Sequence, residues 1–166
     1  MDHDPYDAIR SSAALRHVSI VSCDDGVVCR ATGRRGPLWY TTGLAEAGLP
    51  EIALSLPAPP RVATSLLATA ARAVHAAGGL WLAVETEIAF LGRPVRFLPV
   101  AEAAQRARLT FAVERHFQFC HAAGIDPHEV PMAAAQLVVS DYDGRLPHDP
   151  RHRFTTQQAL YCASPN

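Results

Sequence analysis

The 166-residue chain contains no lysine, and all fifteen of its basic residues are arginine. Without a lysine amine, Schiff-base chemistry and general-base catalysis by lysine are excluded. The formal net charge of −1 gives no electrostatic attraction for a nucleic acid or an anionic membrane surface. No apolar run reaches the ~20 residues that a membrane span requires. These absences favour a protein with neither nucleic acid nor membrane as a partner.

The N-terminal sequence is acidic and lacks the basic and apolar regions of a signal peptide. We therefore expect a cytoplasmic protein with reduced cysteines. Cys23 and Cys29 are too far apart for a Cys-x-x-Cys pair, and no second pair follows at zinc-finger spacing. His148 and His152 flank a proline in an irregular segment rather than sharing a helical face. The sequence therefore predicts no metal site.

Familiar catalytic motifs are also missing. The chain has no Gly-x-Ser-x-Gly nucleophile elbow. Cys120 and His121 are neighbours in a predicted helix, so their side chains diverge. Gly33 and Gly36 lack the further glycine and the following helix of a phosphate-binding loop. Two functions therefore stay open, a non-enzymatic binding module and a small cofactor-dependent enzyme.

The order of elements predicts a single α+β domain, long enough to bury a core. Residues 17–31 are expected to form a hairpin that turns at Asp24-Asp25-Gly26. Long helices are predicted over 61–77, between a proline run and a Gly-Gly pair, and over 101–123, before Gly124. Strands occurring in runs predict a largely antiparallel sheet of about six or seven strands, with closure into a barrel as an alternative.

The domain is expected to occupy residues 17–161. Residues 1–16 are predicted to be a flexible N-terminal segment, and residues 162–166 a tail.

The stretch from Gln136 to Pro150 carries the densest set of chemically active residues. An apolar run, Leu137 to Val139, predicts a buried strand that leads into a loop rich in Asp, Gly, Pro and His, and loops that follow rigid strands often carry function. We predict a groove between the 39–44 and 136–149 segments. Its candidate lining residues are Tyr40, Thr42, Gln136, Asp141, Arg145, His148 and Asp149.

A structural role for the acidic residues in this loop is the alternative. Asp141 has the geometry to accept hydrogen bonds from backbone N–H groups of its own loop. Asp143-Gly144 is a turn sequence.

An ordered series of short motifs extends over roughly residues 17 to 161. The series runs Tyr40-Thr41-x-Gly43-Leu44, Pro50-Glu51, Gly92-x-Pro94-Val95-x-Phe97, Gln136-Leu137-Val138, Asp141, Gly144, Pro147-x-Asp149 and Gln158-x-Leu160. It resembles the DUF4262 family of small bacterial proteins of undefined function. We interpret such a protein as a binding or accessory module, with an immunity-type role included, that acts on a protein or small-molecule partner. The oligomeric state stays open, with a homodimer as one alternative.

The segment from Pro50 to Val84 resembles, more weakly, the flavin-reductase-like split barrels. That resemblance implies FMN as a cofactor and a small flavin-dependent oxidoreductase or flavin-binding protein as the alternative function. Thr41, Thr42 and Arg61 are the candidate phosphate-binding residues implied by it.

Overall fold

The computed structural model describes residues 15, 17–28, 35–56, 58–78, 87–90, 93–147 and 149–153. The strands in this part of the chain are β1 (Ser19–Val28), β2 (Arg35–Thr42), β3 (Glu51–Leu54), β4 (Glu87–Phe90), β5 (Arg93–Pro99) and β6 (Ala134–Val139). The α-helices are α1 (Pro60–Ala76), α2 (Glu102–Arg108) and α3 (Thr110–Ala122), and a short 3₁₀ helix spans Ala45–Ala47.

The described strands form one open, mixed sheet in the order β1-β2-β3-β6-β5-β4. Neighbours are antiparallel except β3 and β6, which run parallel, with Ala53 opposite Gln136. The α+β class is confirmed, whereas the barrel alternative was wrong, because the described sheet is open, and the expected antiparallel pattern is interrupted by the parallel β3–β6 pair. A parallel pair needs a long crossover connection, and here that connection includes the three helices.

Helices cover both faces of the sheet, because successive strand side chains point to opposite faces. On one face, Trp39 and Leu54 of the sheet pack in a cluster with Leu67 of α1. On the other, Tyr40 packs in a cluster with Leu109, at the junction of α2 and α3. The two clusters use alternate residues of β2, so the end of this strand lies between two apolar layers.

The first helix closely follows its prediction. Pro60 occupies the first helical position, where a missing N–H costs no hydrogen bond. Ala63, Leu67 and Val74 are buried against the sheet. Val62, which the four-residue spacing placed on the apolar face, is 39% exposed.

The second predicted helix, over 101–123, is two helices, so the prediction of two long helices was wrong. The break falls at Leu109, whose φ of −102° and ψ of 42° are not helical. Leu109 is only 1% exposed. Both this side chain and Ala112 pack in the cluster around Tyr40.

The predicted hairpin over 17–31 is also corrected. β1 continues through Asp24-Asp25-Gly26 and pairs with β2, with a shift of register between Cys23 and Val27. Cys23 and Val27 are four positions apart, whereas their partners Leu38 and Gly36 are two apart, so β1 carries two extra residues. Extra residues in one strand are accommodated as a bulge, so a turn-like sequence does not end this strand. None of the described helices has the length and apolar character of a membrane span.

The predicted flexible N-terminal segment lies largely outside the described residues. The tail over 162–166 lies wholly outside them.

Candidate functional site

A buried carboxylate lies where β2 turns into β3. Glu51 is the first residue of β3 and is 1% exposed. Its Oε1 accepts hydrogen bonds from the backbone N–H groups of Gly43 at 2.7 Å and Ala45 at 3.1 Å. Its Oε2 accepts a hydrogen bond from the Thr41 hydroxyl at 2.7 Å. One side chain therefore ties the end of β2 and the 3₁₀ turn to the start of β3.

Burial raises the pKa of Glu51 to about 7. Removal from water disfavours the charged form, and this effect outweighs the opposing hydrogen bonds from Ala45, Thr41 and Gly43 and the opposing positive charge of Arg115. Thr41 uses its hydroxyl twice, since Oγ1 also accepts a hydrogen bond from the Ile52 N–H at 2.8 Å. The cluster is a compact hydrogen-bond network where β2 ends and β3 begins, rather than an open site.

Arg115 of α3 covers this cluster from the outside. Its guanidinium pairs with Glu46 of the 3₁₀ turn and donates to the carbonyl oxygens of Thr42 at 3.2 Å and His17 at 2.7 Å. It approaches the chain where Gly43 has a φ of +106°. A glycine is needed there, because a Cβ would lie 2.7 Å from the His17 oxygen and 2.8 Å from an Arg115 nitrogen.

A solvent-open groove of about 420 Å³ runs beside this arginine, between the β1–β2 ladder and α3. Its described lining residues are Val21, Thr42, Phe111, Glu114, Arg115 and Gln118. Phe111 is 57% exposed although it lies in the first turn of α3. The groove therefore combines apolar surface with the polar groups at the end of β2.

Tyr40 supports the groove from beneath. Its side chain is fully buried, and its hydroxyl accepts a hydrogen bond from the Phe111 N–H at 3.4 Å. The Cys23 thiol also donates to this oxygen at 3.5 Å. Burial, followed by the contact with Cys23, raises the pKa of the Tyr40 phenol, so the residue acts as a neutral structural group.

The acidic loop after β6 is held together by its own carboxylates. Asp141 is buried, and its Oδ1 accepts hydrogen bonds from the backbone N–H groups of Asp143 at 2.9 Å and Arg145 at 2.8 Å, while Oδ2 accepts one from Arg153 at 3.0 Å. Burial alone would raise the pKa of Asp141, but these backbone donors and the Arg145 charge hold it below its usual value. The contacts match the capping alternative.

Asp149 and Arg145 take part in the same loop. Asp149 accepts hydrogen bonds from the side chain and the backbone N–H of Arg151, and these lower its pKa to about 2. Arg145 pairs with Asp143 at 3.0 Å and donates to the Arg151 carbonyl oxygen at 3.1 Å. His148 lies outside the described residues.

The predicted pocket residues occupy three different places. Tyr40 and Gln136 are buried on one face of the sheet, with Ala53 between them in register. Asp141, Arg145 and Asp149 belong to the loop after β6, and Thr42 alone of the predicted set lines the groove among the described residues. Strand β3 lies between the 39–44 segment and β6 in the sheet.

The three predicted phosphate-binding residues are also apart. The Thr41 hydroxyl contacts Glu51 and Ile52, and the Thr42 hydroxyl lies 3.3 Å from Arg115. Arg61 is exposed at the start of α1, which packs on the face of the sheet opposite α3.

His116 and Cys120 form a buried pair one turn apart in α3. The Cys120 sulfur lies 3.6 Å from His116 Nε2, and this nitrogen lies 2.7 Å from the Val130 carbonyl oxygen. Because a carbonyl only accepts, Nε2 carries the proton. Within the described part of the chain, no group of three or more potential metal ligands is found. The pair contacts the 125–131 loop through Val130.

Sequence reasoning missed Glu51, Arg115 and Phe111 as components of the site. Glu51 had a detectable signal, since it is the only charged residue in the apolar strand Glu51-Ile-Ala-Leu, and a buried charge requires partners. Arg115 and Phe111 carried no such signal, because an exposed helical arginine or phenylalanine is unremarkable before the helix is placed against the sheet.

Comparison with curated proteins and with solved structures yields no match. A family model described as a domain of unknown function (DUF4262) matches residues 24–153. The match includes β2, the Glu51 cluster, all three helices and the loop after β6. The chain therefore belongs to the DUF4262 family.

Proposed function

We propose that this protein is a small binding module that recognises a segment of a partner protein in the groove between α3 and the β1–β2 ladder. The observation that supports the proposal is the placement of Phe111. Its ring is 57% exposed over the groove, while its backbone N–H contacts the buried Tyr40 hydroxyl. An aromatic side chain on a fixed backbone loses little conformational entropy on binding, which is why aromatic residues dominate binding energy at interfaces.

The charges around the groove indicate the chemistry of the partner. Arg115 is compensated by Glu46, so it adds little net positive charge. Glu114 is exposed, and its described contact is a 3.4 Å hydrogen bond from the Gln118 amide. The solvent-facing rim is therefore acidic, and we infer a partner segment with an apolar anchor next to an arginine or lysine.

The shape of the groove favours a peptide over a small cofactor. Small-molecule sites are concave and bury most of their ligand. This groove is open to solvent and about 420 Å³ in volume, near the lower end of such sites. A protein segment that lies across the groove would cover Phe111 and Val21 together.

Panning a random-peptide display library against the purified protein tests the proposal. Enriched peptides should share an apolar residue near a basic one, and amide shift changes on binding should cluster around Val21, Thr42 and 111–118. Phe111→Ser should weaken the binding of these peptides about tenfold or more.

Two further variants sharpen the assignment. Phe117→Ser is the matched control, because Phe117 is an exposed aromatic of the same helix that contacts His128 and is not among the groove residues. Glu114→Gln should weaken peptides that carry a basic residue. No enrichment, or enriched peptides whose affinity is unchanged by Phe111→Ser, would argue against the proposal.

A further inference from the structure

The buried carboxylate of Glu51 holds a turn that carries part of the groove. The N–H groups of Gly43 and Ala45 donate to Oε1; Gly43 directly follows β2, and Ala45 is the first residue of the 3₁₀ turn. Directly beside them, Thr42 lines the groove and Glu46 pairs with Arg115. A change in the protonation of the Glu51 carboxylate therefore affects residues that contact the groove.

We propose that Glu51 is a proton-linked switch, whose protonation state sets the strength of the hydrogen bonds that hold the 43–47 turn against β3. Hydrogen bonds to an ionised acceptor are shorter and roughly twice as strong as those between neutral groups. Protonation of Glu51 therefore weakens both N–H contacts to Oε1. This switch acts within the fold, whether or not the groove binds a ligand.

The geometry also assigns the position of the proton. Oε1 already accepts two backbone N–H groups, so a proton there would displace them. Oε2 faces only the Thr41 hydroxyl among the described groups, at 2.7 Å. Protonated Oε2 donates to Thr41 Oγ1, so the Thr41–Glu51 hydrogen bond reverses direction and the buried Thr41 hydroxyl gives up Oε2 as its acceptor.

The charged groups next to the Glu51 cluster come from two elements. The 3₁₀ turn contributes Glu46, and α3 contributes Arg115, which also donates to the backbone carbonyl of His17. β2 faces the carboxylate with the Thr41 hydroxyl, and β6 pairs with it through Ala134. Arg115 favours the ionised form, whereas burial favours the neutral form, and the balance gives a pKa of about 7. The exchange thus falls near neutral pH.

An NMR pH titration of the wild-type protein tests the switch directly. The Glu51 carboxyl ¹³C signal should titrate with a midpoint near 7, and the amide proton signals of Gly43 and Ala45 should move upfield with the same midpoint as the pH falls. Gly43 and Ala45 signals that do not change through neutral pH would overturn the proposal.

Two variants separate Glu51 from its neighbours. Glu51→Gln keeps an oxygen for the two N–H groups and an N–H donor toward Thr41, so it mimics the neutral form and should abolish the common midpoint. Glu46→Gln is the control, because Glu46 pairs with the same arginine outside the buried cluster, and it should retain the midpoint. A midpoint that survives in Glu51→Gln would assign the titration to another group.

Discussion

The hydroxyl of Tyr40, in strand β2, accepts a hydrogen bond from the backbone N–H of Phe111, in the first turn of α3. The first N–H groups of a helix have no partner within the helix. A buried side chain from β2 supplies one of those partners here. The contact fixes where α3 begins and hence where the Phe111 ring stands over the groove.

Tyr40→Phe should lower the free energy of unfolding by about 1 kcal/mol, because the ring and its packing remain while the acceptor for the Phe111 N–H is lost. Urea unfolding followed by far-UV circular dichroism measures this difference. A variant as stable as the wild type would show that the 3.4 Å contact contributes nothing to stability.

Gly43→Ala should lower the free energy of unfolding by about 2–4 kcal/mol, because a strained positive φ is combined with overpacking. The added Cβ would meet the His17 oxygen and the Arg115 guanidinium. Thermal or urea unfolding of the purified variant measures the loss.

Gly48→Ala is the matched control in the same connection. Its φ of +70° is also left-handed, but a Cβ there meets nothing within 4 Å. The expected cost is therefore only the conformational one, about 1 kcal/mol. Equal losses in the two variants would contradict the close approach of Arg115 to Gly43.

Asp141→Asn should lower the melting temperature by about 5 °C. The amide retains one oxygen for the Asp143 and Arg145 N–H groups, but its NH₂ group then faces the Arg153 N–H donor. Asp143→Asn serves as the control, since the Asp143 carboxylate is half exposed and pairs with Arg145 at the surface; such pairs contribute little. The capping role would be refuted if both variants melted like the wild type.

Stability should decline in acid as the pH falls from about 4 toward 2. Asp141 and Asp149 both have folded-state pKa values below their usual value, to about 2 for Asp149. A lowered folded pKa means that the unfolded chain binds protons first, so the stabilisation is present above the unfolded pKa and is lost below it. Melting temperatures across this range measure the decline, which should be shallower in Asp141→Asn.

FMN added to the protein should keep its fluorescence. The hydroxyl of Thr41 is already engaged by Glu51 and Ile52, and Arg61 starts a helix on the other face of the sheet from α3. Saturable quenching of FMN fluorescence, or a visible flavin spectrum of the purified protein, would instead favour the flavin-binding alternative over the peptide-binding module.

Prolines and glycines in the sequence predicted the helix ends that lie next to them. The proline run before α1 and the glycines after α1 and α3 act on neighbouring residues, so both limits of α1 and the end of α3 were predicted closely. The break at Leu109 could not be predicted in this way, because neither proline nor glycine marks it in the sequence.

The candidate site depends on contacts between residues that are distant in the chain. The loop carboxylate of Asp141 was correctly given a structural alternative, since its partners are near neighbours in sequence. The groove itself depends on Thr42 and Phe111, which tertiary packing brings together. No local sequence pattern encodes a contact between residues so far apart in the chain.

The parallel pairing of β3 with β6 has a consequence for the order of assembly. It joins residues roughly 80 positions apart, and it is the contact that unites the β1–β2–β3 ladder with the β6–β5–β4 ladder. Closing so long a loop costs entropy before the strand pairing compensates for it, which slows folding. During synthesis, one edge of β3 therefore stays unpaired until β6 has left the ribosome.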